Sequence, residues 1–197
     1  MENVATHTGP QVIETLPPLD ELRPQVPISP ATGQPRRSKW MVVAMSFLYA
    51  SAAVAAVSLA NGWWDAIHMH TFPHAVKIIE WWQPRPGGWR SIVAVVLMFA
   101  LGGLMTAAPA IAGFNAWNGY RWSRPAAIVA TVVALGAFAM NSWALPALPL
   151  AAIGAALLWL PAVSRYFRHW DEFRAGSVIV PRRTPDHVVY GALPRFR

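Results

Sequence analysis

Residues 125–164 read PAAIVATVVALGAFAMNSWALPALPLAAIGAALLWLPAVS, a run of 40 residues that contains no Asp, Glu, Lys, Arg or His. One straight helix of this length would measure about 60 Å at about 1.5 Å per residue, twice the hydrocarbon core of a bilayer. The segment must therefore fold back. Pro146 and Pro149 remove backbone donors and restrict the residues before them, so we predict a turn within residues 141–149 and spans at about 124–142 and 147–165.

Two further stretches lack charged residues and histidine. Residues 40–64 and 91–120 are 25 and 30 residues long, and each can hold one helix of the roughly 20 apolar residues that cross a bilayer. We place these spans at about 40–61 and 91–113. The sequence thus predicts an all-α, polytopic membrane protein with four transmembrane helices in a domain of residues 40–165, with an external loop at 62–90.

The composition agrees with this class. Hydrophobic residues make up 55% of the 197 residues and charged residues 13%, against about 25% charged in a typical soluble domain. The net charge of +7 therefore does not indicate a nucleic-acid-binding protein, which spreads Lys and Arg over a soluble surface. The pattern also argues against a soluble helical bundle, because residues 43–57 and 91–105 carry no charged face at the helical period.

Positive charges predict the orientation. Lys and Arg gather beside one set of predicted helix ends: Arg36, Arg37, Lys39, Arg121, Arg124, Arg165 and Arg168. The predicted external loop holds only Lys77, Arg85 and Arg90. Since an excess of Lys and Arg marks the cytoplasmic side, we expect both termini in the cytoplasm. Arg outnumbers Lys 14 to 2, a bias typical of a GC-rich bacterial genome, so the predicted location is the inner (plasma) membrane, as a multi-pass protein.

Tryptophans give an independent indication of where the helices end. Indole rings favour the headgroup zone of a bilayer. Six tryptophans are predicted to be interfacial anchors on this basis: Trp40, Trp63, Trp64, Trp89, Trp122 and Trp143.

Three segments are predicted to lie outside the bilayer. Residues 1–39 hold seven prolines and are expected to be a disordered cytoplasmic tail. In the external loop, a helix over residues 73–82 would set Val76, Ile79 and Trp82 on one side and lie flat in the outer interface. Residues 166–197 are expected to form a cytoplasmic tail that begins as a helical extension of the fourth span.

The clearest candidate for chemistry lies in the external loop. His68, His70 and His74 offer imidazoles suited to zinc or copper, and Met69 would favour reduced copper. The alternative is a set of ordinary polar residues at a membrane surface, and pH sensing by histidine is a further possibility. We expect no cofactor and no enzymatic activity, because the chain carries no recognisable catalytic motif and the spans carry no ionisable group away from their ends.

Small residues spaced four apart suggest close helix packing. The pairs are Ser51/Ala55, Ala52/Ala56, Gly103/Ala107 and Ala151/Ala155. They can serve packing within the protein or docking to other subunits. We therefore expect a small non-catalytic accessory or assembly subunit of a larger membrane complex, whose partners are the lipid bilayer and other membrane subunits or further copies of itself.

Two other functions remain open from the sequence. One is a homo-oligomeric pore or membrane-perturbing protein, toxin-like or phage-excluding, lined by the few polar side chains of the spans: Thr106, Asn115, Thr131 and Asn141. The other is metal or pH sensing through the histidine-rich loop.

Overall fold

The computed structural model describes residues 26–29 and 32–175. Helix accounts for 76% of these residues and they contain no strand, which confirms the all-α prediction. Six α-helices follow one another: α1 Lys39–Ile67, α2 Lys77–Trp82, α3 Trp89–Trp117, α4 Ser123–Ala134, α5 Ala147–Leu157 and α6 Pro161–Arg174. Short 3₁₀ segments stand at Phe72–His74, Leu135–Ala139 and Ser142–Ala144.

Four helices form a bundle in which each has two neighbours. Helix α1 packs against α3 and α5, and α4 packs against the same two helices. Leu59 lies against Gly102 and Leu48 against Gly113, so α1 and α3 are antiparallel. Glycines let the helices approach closely, as two examples show. A Cβ on Gly102 would lie 2.7 Å from Leu59 Cδ1, and one on Gly154 would lie 2.8 Å from Leu48 Cγ.

The bundle has two ends, which we name by what covers them. At the α6 end, α1 begins, α3 ends, and the α6 side chains Tyr166 and Phe167 are buried in one cluster with Leu48 of α1. At the loop end, α1 ends, α3 begins and the segment Phe72–Trp82 packs on a second buried cluster that contains Met98 and Met140.

Two helices, α1 and α3, are each 29 residues long and are apolar enough to cross a membrane. A third candidate is α5 joined to α6, although the two are bent by 64° at their junction. Helix α4 continues through the 3₁₀ segment to Ala139 and is shorter. By length and composition, the part of the chain that the structure describes therefore holds two candidate spans, or three if the bent pair counts as one.

The predicted fourth span, residues 147–165, is not one continuous helix. Helix α5 ends at Leu157, Leu160 is extended with ψ of 144°, and α6 begins at Pro161. Proline at the first position of a helix has no donor to lose, and its ring disfavours helical backbone in the residue before it. The apolar run in the sequence therefore continues past the end of the helix.

The predicted helix over residues 73–82 is also not continuous, and only its second half is α-helical. Val76 is extended and separates the 3₁₀ segment from α2. Val76 and Ile79 are 1% and 0% exposed, whereas Trp82 is exposed. The backbone N–H of Lys77 donates to the Met140 carbonyl at 2.9 Å. The apolar side of this segment covers the end of the bundle rather than lipid.

The predicted disordered tail differs where the structure describes it. Residues 26–29 and 32–38 form a tight turn, in which the N–H of Arg36 donates to the Pro27 carbonyl and that of Ser29 to the Gln34 carbonyl, both at 2.8 Å. Val26 and Pro35 are buried. Backbone pairing and burial thus order this short segment despite its prolines. The rest of the prediction for residues 1–39, and that for 176–197, lies outside the described residues.

Candidate functional site

The three loop histidines do not form a common ligand set. His68 follows the end of α1, and its Nδ1 donates to the Trp64 carbonyl at 2.7 Å. The rings of His68 and His70 are 5.9 Å apart, and His74 ends the 3₁₀ segment. Within residues 26–29 and 32–175, no group of three His, Asp or Glu side chains is placed to hold a metal ion.

One charged pair stands near the histidines. Lys77 Nζ lies 2.6 Å from Glu80 Oε2, with both side chains well exposed. The hydrogen bond and the positive charge of Lys77 lower the pKa of Glu80. This is an ordinary surface pair within α2, and such pairs contribute little to stability.

The polar side chains of the apolar helices have their partners inside the protein. Thr106, Asn115 and Thr131 each donate to the carbonyl four residues earlier in their own helix. Ser51 Oγ donates across the bundle to the Ala147 carbonyl at 2.8 Å. Each of these three pore-lining candidates thus uses one donor within its own helix.

Asn141 and Ser58 form a reciprocal pair between the α4–α5 turn and α1. Ser58 Oγ donates to Asn141 Oδ1 at 2.6 Å, and Asn141 Nδ2 donates back to the Ser58 carbonyl at 3.0 Å. The sequence shows both polar residues, but 83 positions separate them, and no local pattern joins them.

An apolar groove runs along the outside of α1 and α3 near the loop end, with a volume of about 400 Å³. We call it the small-residue groove, because most of its lining is alanine or glycine: Ala56, Ala60, Gly103, Ala107 and Ala110. Trp63 and Phe99 are among its other lining residues. A Cβ added to Gly103 would meet no atom within 4 Å, so this position is open from the outside.

The structure separates the predicted small-residue pairs by role. Ser51/Ala55 and Ala151/Ala155 are buried inside the bundle. Gly103 and Ala107 line the groove, and Ala56 lines it from α1. Packing within the protein therefore accounts for the first two pairs and leaves the Gly103/Ala107 pair on the surface.

A second apolar depression, the Tyr49 slot, lies between the same helices nearer the α6 end. Its volume is about 430 Å³, and it is lined by Val42, Met45, Ser46, Tyr49, Phe114 and Trp117. The Tyr49 slot lies beside the first turns of α1, and the small-residue groove lies beside its later turns. The two depressions therefore occupy opposite halves of the α1–α3 face.

Helix α6 is fastened to the turn between α3 and α4. Tyr166 Oη donates to the Trp117 carbonyl at 2.6 Å. Arg174 donates to the carbonyls of Gly119 and Asn118. Gly119 has φ of +71°, and a Cβ there would overlap the Trp170 ring. The sequence predicts a helical extension here, but no local pattern predicts that this helix folds back onto the end of α3.

All seven predicted orientation charges lie at the α6 end: Arg36, Arg37, Lys39, Arg121, Arg124, Arg165 and Arg168. Several are held in place. The Arg37 guanidinium stacks 4.0 Å from the centre of the Trp117 ring, Arg124 Nη2 donates to Ser164 Oγ at 2.8 Å, and Arg121 lies 3.4 Å from Asp171.

The predicted tryptophan anchors are exposed at both ends. Trp40 and Trp122 stand at the α6 end, while Trp63, Trp64, Trp89 and Trp143 stand at the loop end. Trp170 of α6, which was not among them, is buried.

No protein-family model, curated protein or solved structure matches this chain. Its function is therefore argued from the chemistry of its own surfaces.

Proposed function

We propose that the protein is a non-catalytic, four-span protein of the bacterial inner membrane that acts as an accessory or assembly subunit of a larger membrane complex. In this arrangement α4, with its 3₁₀ extension, and α5, with the turn before it, are the third and fourth spans. The segment Ser123–Ala139 has 17 residues, which is about 25 Å of helix and close to the shortest length that crosses a bilayer.

The small-residue groove carries this proposal, and we assign it a transmembrane helix of another protein. Helices in a membrane associate by close packing, and small residues spaced four apart let two backbones approach. Gly103 and Ala107 supply that spacing on an outward face, and the space above Gly103 is open. Two other pairs of this type, Ser51/Ala55 and Ala151/Ala155, pack inside the bundle, whereas this one is available to a partner.

The polar groups support an accessory role over a pore. A pore needs polar or gating side chains free to face its lumen. Thr106, Asn115 and Thr131 bond to their own helices, and Asn141 bonds to Ser58. No observation on the described residues favours the pore or the metal and pH sensor.

Photocrosslinking in cells tests the proposal. A photoreactive residue at Ala107, inside the groove, is compared with one at Leu104, which is exposed on the same helix outside it. We expect a protein adduct of discrete mass from position 107 and none from position 104. Gly103→Leu should abolish the adduct by filling the groove, while Ala100→Leu, on the exposed surface outside the groove, should leave it intact.

Three results would contradict the proposal. Lipid adducts alone from both positions would mean that the groove faces only the bilayer. An adduct of twice the chain mass would indicate self-association instead of a different subunit. Reproducible conductance of the purified protein in planar bilayers would favour the pore.

A further inference from the structure

A basic cleft lies at the α6 end, between the segment before α1 and the first turns of α6. Its volume is about 240 Å³, and its polar lining consists of Arg36, Arg37, Ser38, Arg165, Tyr166 and His169. We propose that this cleft binds the phosphate of an anionic phospholipid headgroup. The inference is independent of the proposed docking of a partner helix, because it concerns a different surface.

The fold fixes the position of the cationic groups. The turn before α1 is closed by backbone hydrogen bonds at 2.8 Å, which place Arg36 and Arg37 beside α6. Arg37 is further held by Gln34, whose Oε1 accepts from Nη2 at 2.8 Å, and by stacking on Trp117. Arg165 and His169 are four residues apart and so lie on one face of α6. A site organised in advance loses less entropy on binding.

The chemistry of the lining selects an oxyanion. Guanidinium groups bind phosphate through two parallel hydrogen bonds, which makes arginine the side chain best suited to it. Ser38 and Tyr166 also line the cleft, although the Tyr166 hydroxyl already donates its proton to the Trp117 carbonyl. None of its lining residues is Asp or Glu, and Asp171 is turned toward Arg121 and Arg174.

The surroundings favour a lipid over a soluble phosphate. Arg37 lines the cleft and stacks on Trp117, which lines the Tyr49 slot. The charged site and an apolar slot of about 430 Å³ are thus adjacent, in the order in which a phospholipid presents its headgroup and acyl chain. Basic pockets beside membrane helices on the cytoplasmic side are a known setting for anionic headgroups.

Native mass spectrometry of the purified full-length chain tests this inference. The protein is transferred to mixed micelles with equal amounts of phosphatidylglycerol and phosphatidylcholine. The test variant is Arg36→Gln/Arg165→Gln. The control, Arg121→Gln/Arg168→Gln, removes two charges from the same end without touching the cleft. Equal melting temperatures of the two variants establish that both are folded.

We expect the wild type to retain one phosphatidylglycerol selectively. The test variant should retain it at least about tenfold less, since a single lost charge-assisted contact is worth about that factor and two are removed, and the control should behave as wild type. Equal losses in both variants would mean bulk attraction to the basic end and would overturn the site. So would equal retention of phosphatidylcholine. In a third arm without lipid, binding of inorganic phosphate at comparable concentration would overturn the lipid as occupant.

Discussion

The pair Ser58–Asn141 joins the α4–α5 turn to α1 through two hydrogen bonds. We predict that Ser58→Ala and Asn141→Ala each destabilise the protein and that their effects overlap. The expected coupling is about 0.6 kcal/mol, rising to about 1.7 kcal/mol at most, the range found for hydrogen bonds inside membrane proteins. The measurement is a double-mutant cycle on unfolding by denaturing detergent.

Ser46→Ala is the control for this cycle, because Ser46 bonds only to the Val42 carbonyl of its own helix. Its effect should be small and additive with that of Asn141→Ala. Fully additive losses for Ser58→Ala and Asn141→Ala would show that the two side chains do not act as a pair.

Gly119, in the turn between α3 and α4, is a position where the packing of α6 depends on a single residue. Its φ of +71° and its contact with Trp170 both exclude a side chain. Gly119→Ala should therefore loosen α6, at a loss of about 1 to 3 kcal/mol for the strained backbone and more for displacing the indole. Hydrogen exchange of the α6 amides measures this loosening.

Gly33→Ala separates the two contributions. Gly33 has φ of +64°, but a Cβ there would meet nothing within 4 Å. This variant should show only the backbone cost. If α6 exchanges no faster in Gly119→Ala than in Gly33→Ala, the Trp170 contact does not hold α6 in place.

At the scale of elements, the segment Phe72–Trp82 acts as a cover for the loop end of the bundle. Ile79 is fully buried there, whereas Ile67, at the end of α1, is 56% exposed. We predict that Ile79→Ala costs about 2 to 5 kcal/mol, the range for truncating a buried aliphatic side chain. Ile67→Ala makes the same chemical change and should leave stability nearly unchanged. Thermal unfolding in mild detergent compares them, and equal melting temperatures would mean that the segment lies on the surface.

The sequence predicts the long helices well and the short ones poorly. A stretch without charged residues indicates where the chain is apolar. For α1 and α3, the bounds of that stretch lie within a few residues of the bounds of the helix. For residues 125–164 the gap also covers the α4–α5 turn and the bend before Pro161, since a turn inside an apolar segment needs no charged residue. Pro161 was the local signal for that bend.

The covering segment and the groove illustrate a different limit. Periodicity placed Val76 and Ile79 together, but a one-sided apolar pattern looks the same whether it faces lipid or protein. Likewise, four small-residue pairs have equal standing in the sequence, and only the packing of the bundle distinguishes buried pairs from Gly103/Ala107. The basic cleft depends on α6 folding back beside Arg36 and Arg37, a contact across more than 100 residues that no local pattern encodes.

For the whole molecule, the bundle separates charge between its two ends. The seven basic residues used to predict orientation lie at the α6 end, and Lys77, Arg85 and Arg90 lie at the loop end. Consecutive bundle helices run in alternating directions, so the turns after α1 and α4 share one end and those after α3 and α5 share the other. If all four cross the membrane, this distribution places the α6 end in the cytoplasm.

The chain contains no cysteine, so single cysteines can map this arrangement without background. Trp122→Cys and Trp143→Cys flank α4 at opposite ends and make the same substitution at exposed positions. We predict that an impermeant maleimide labels Trp143→Cys in intact cells but labels Trp122→Cys only after permeabilisation. Met69→Cys, in the loop after α1, should be labelled like Trp143→Cys, and Ala175→Cys, after α6, should be labelled like Trp122→Cys.

If positions 122 and 143 label alike, α4 does not cross the membrane and the four-span arrangement fails. The inverse pattern would keep the four spans but place the α6 end outside the cell. The positive charge at that end would then not determine the orientation.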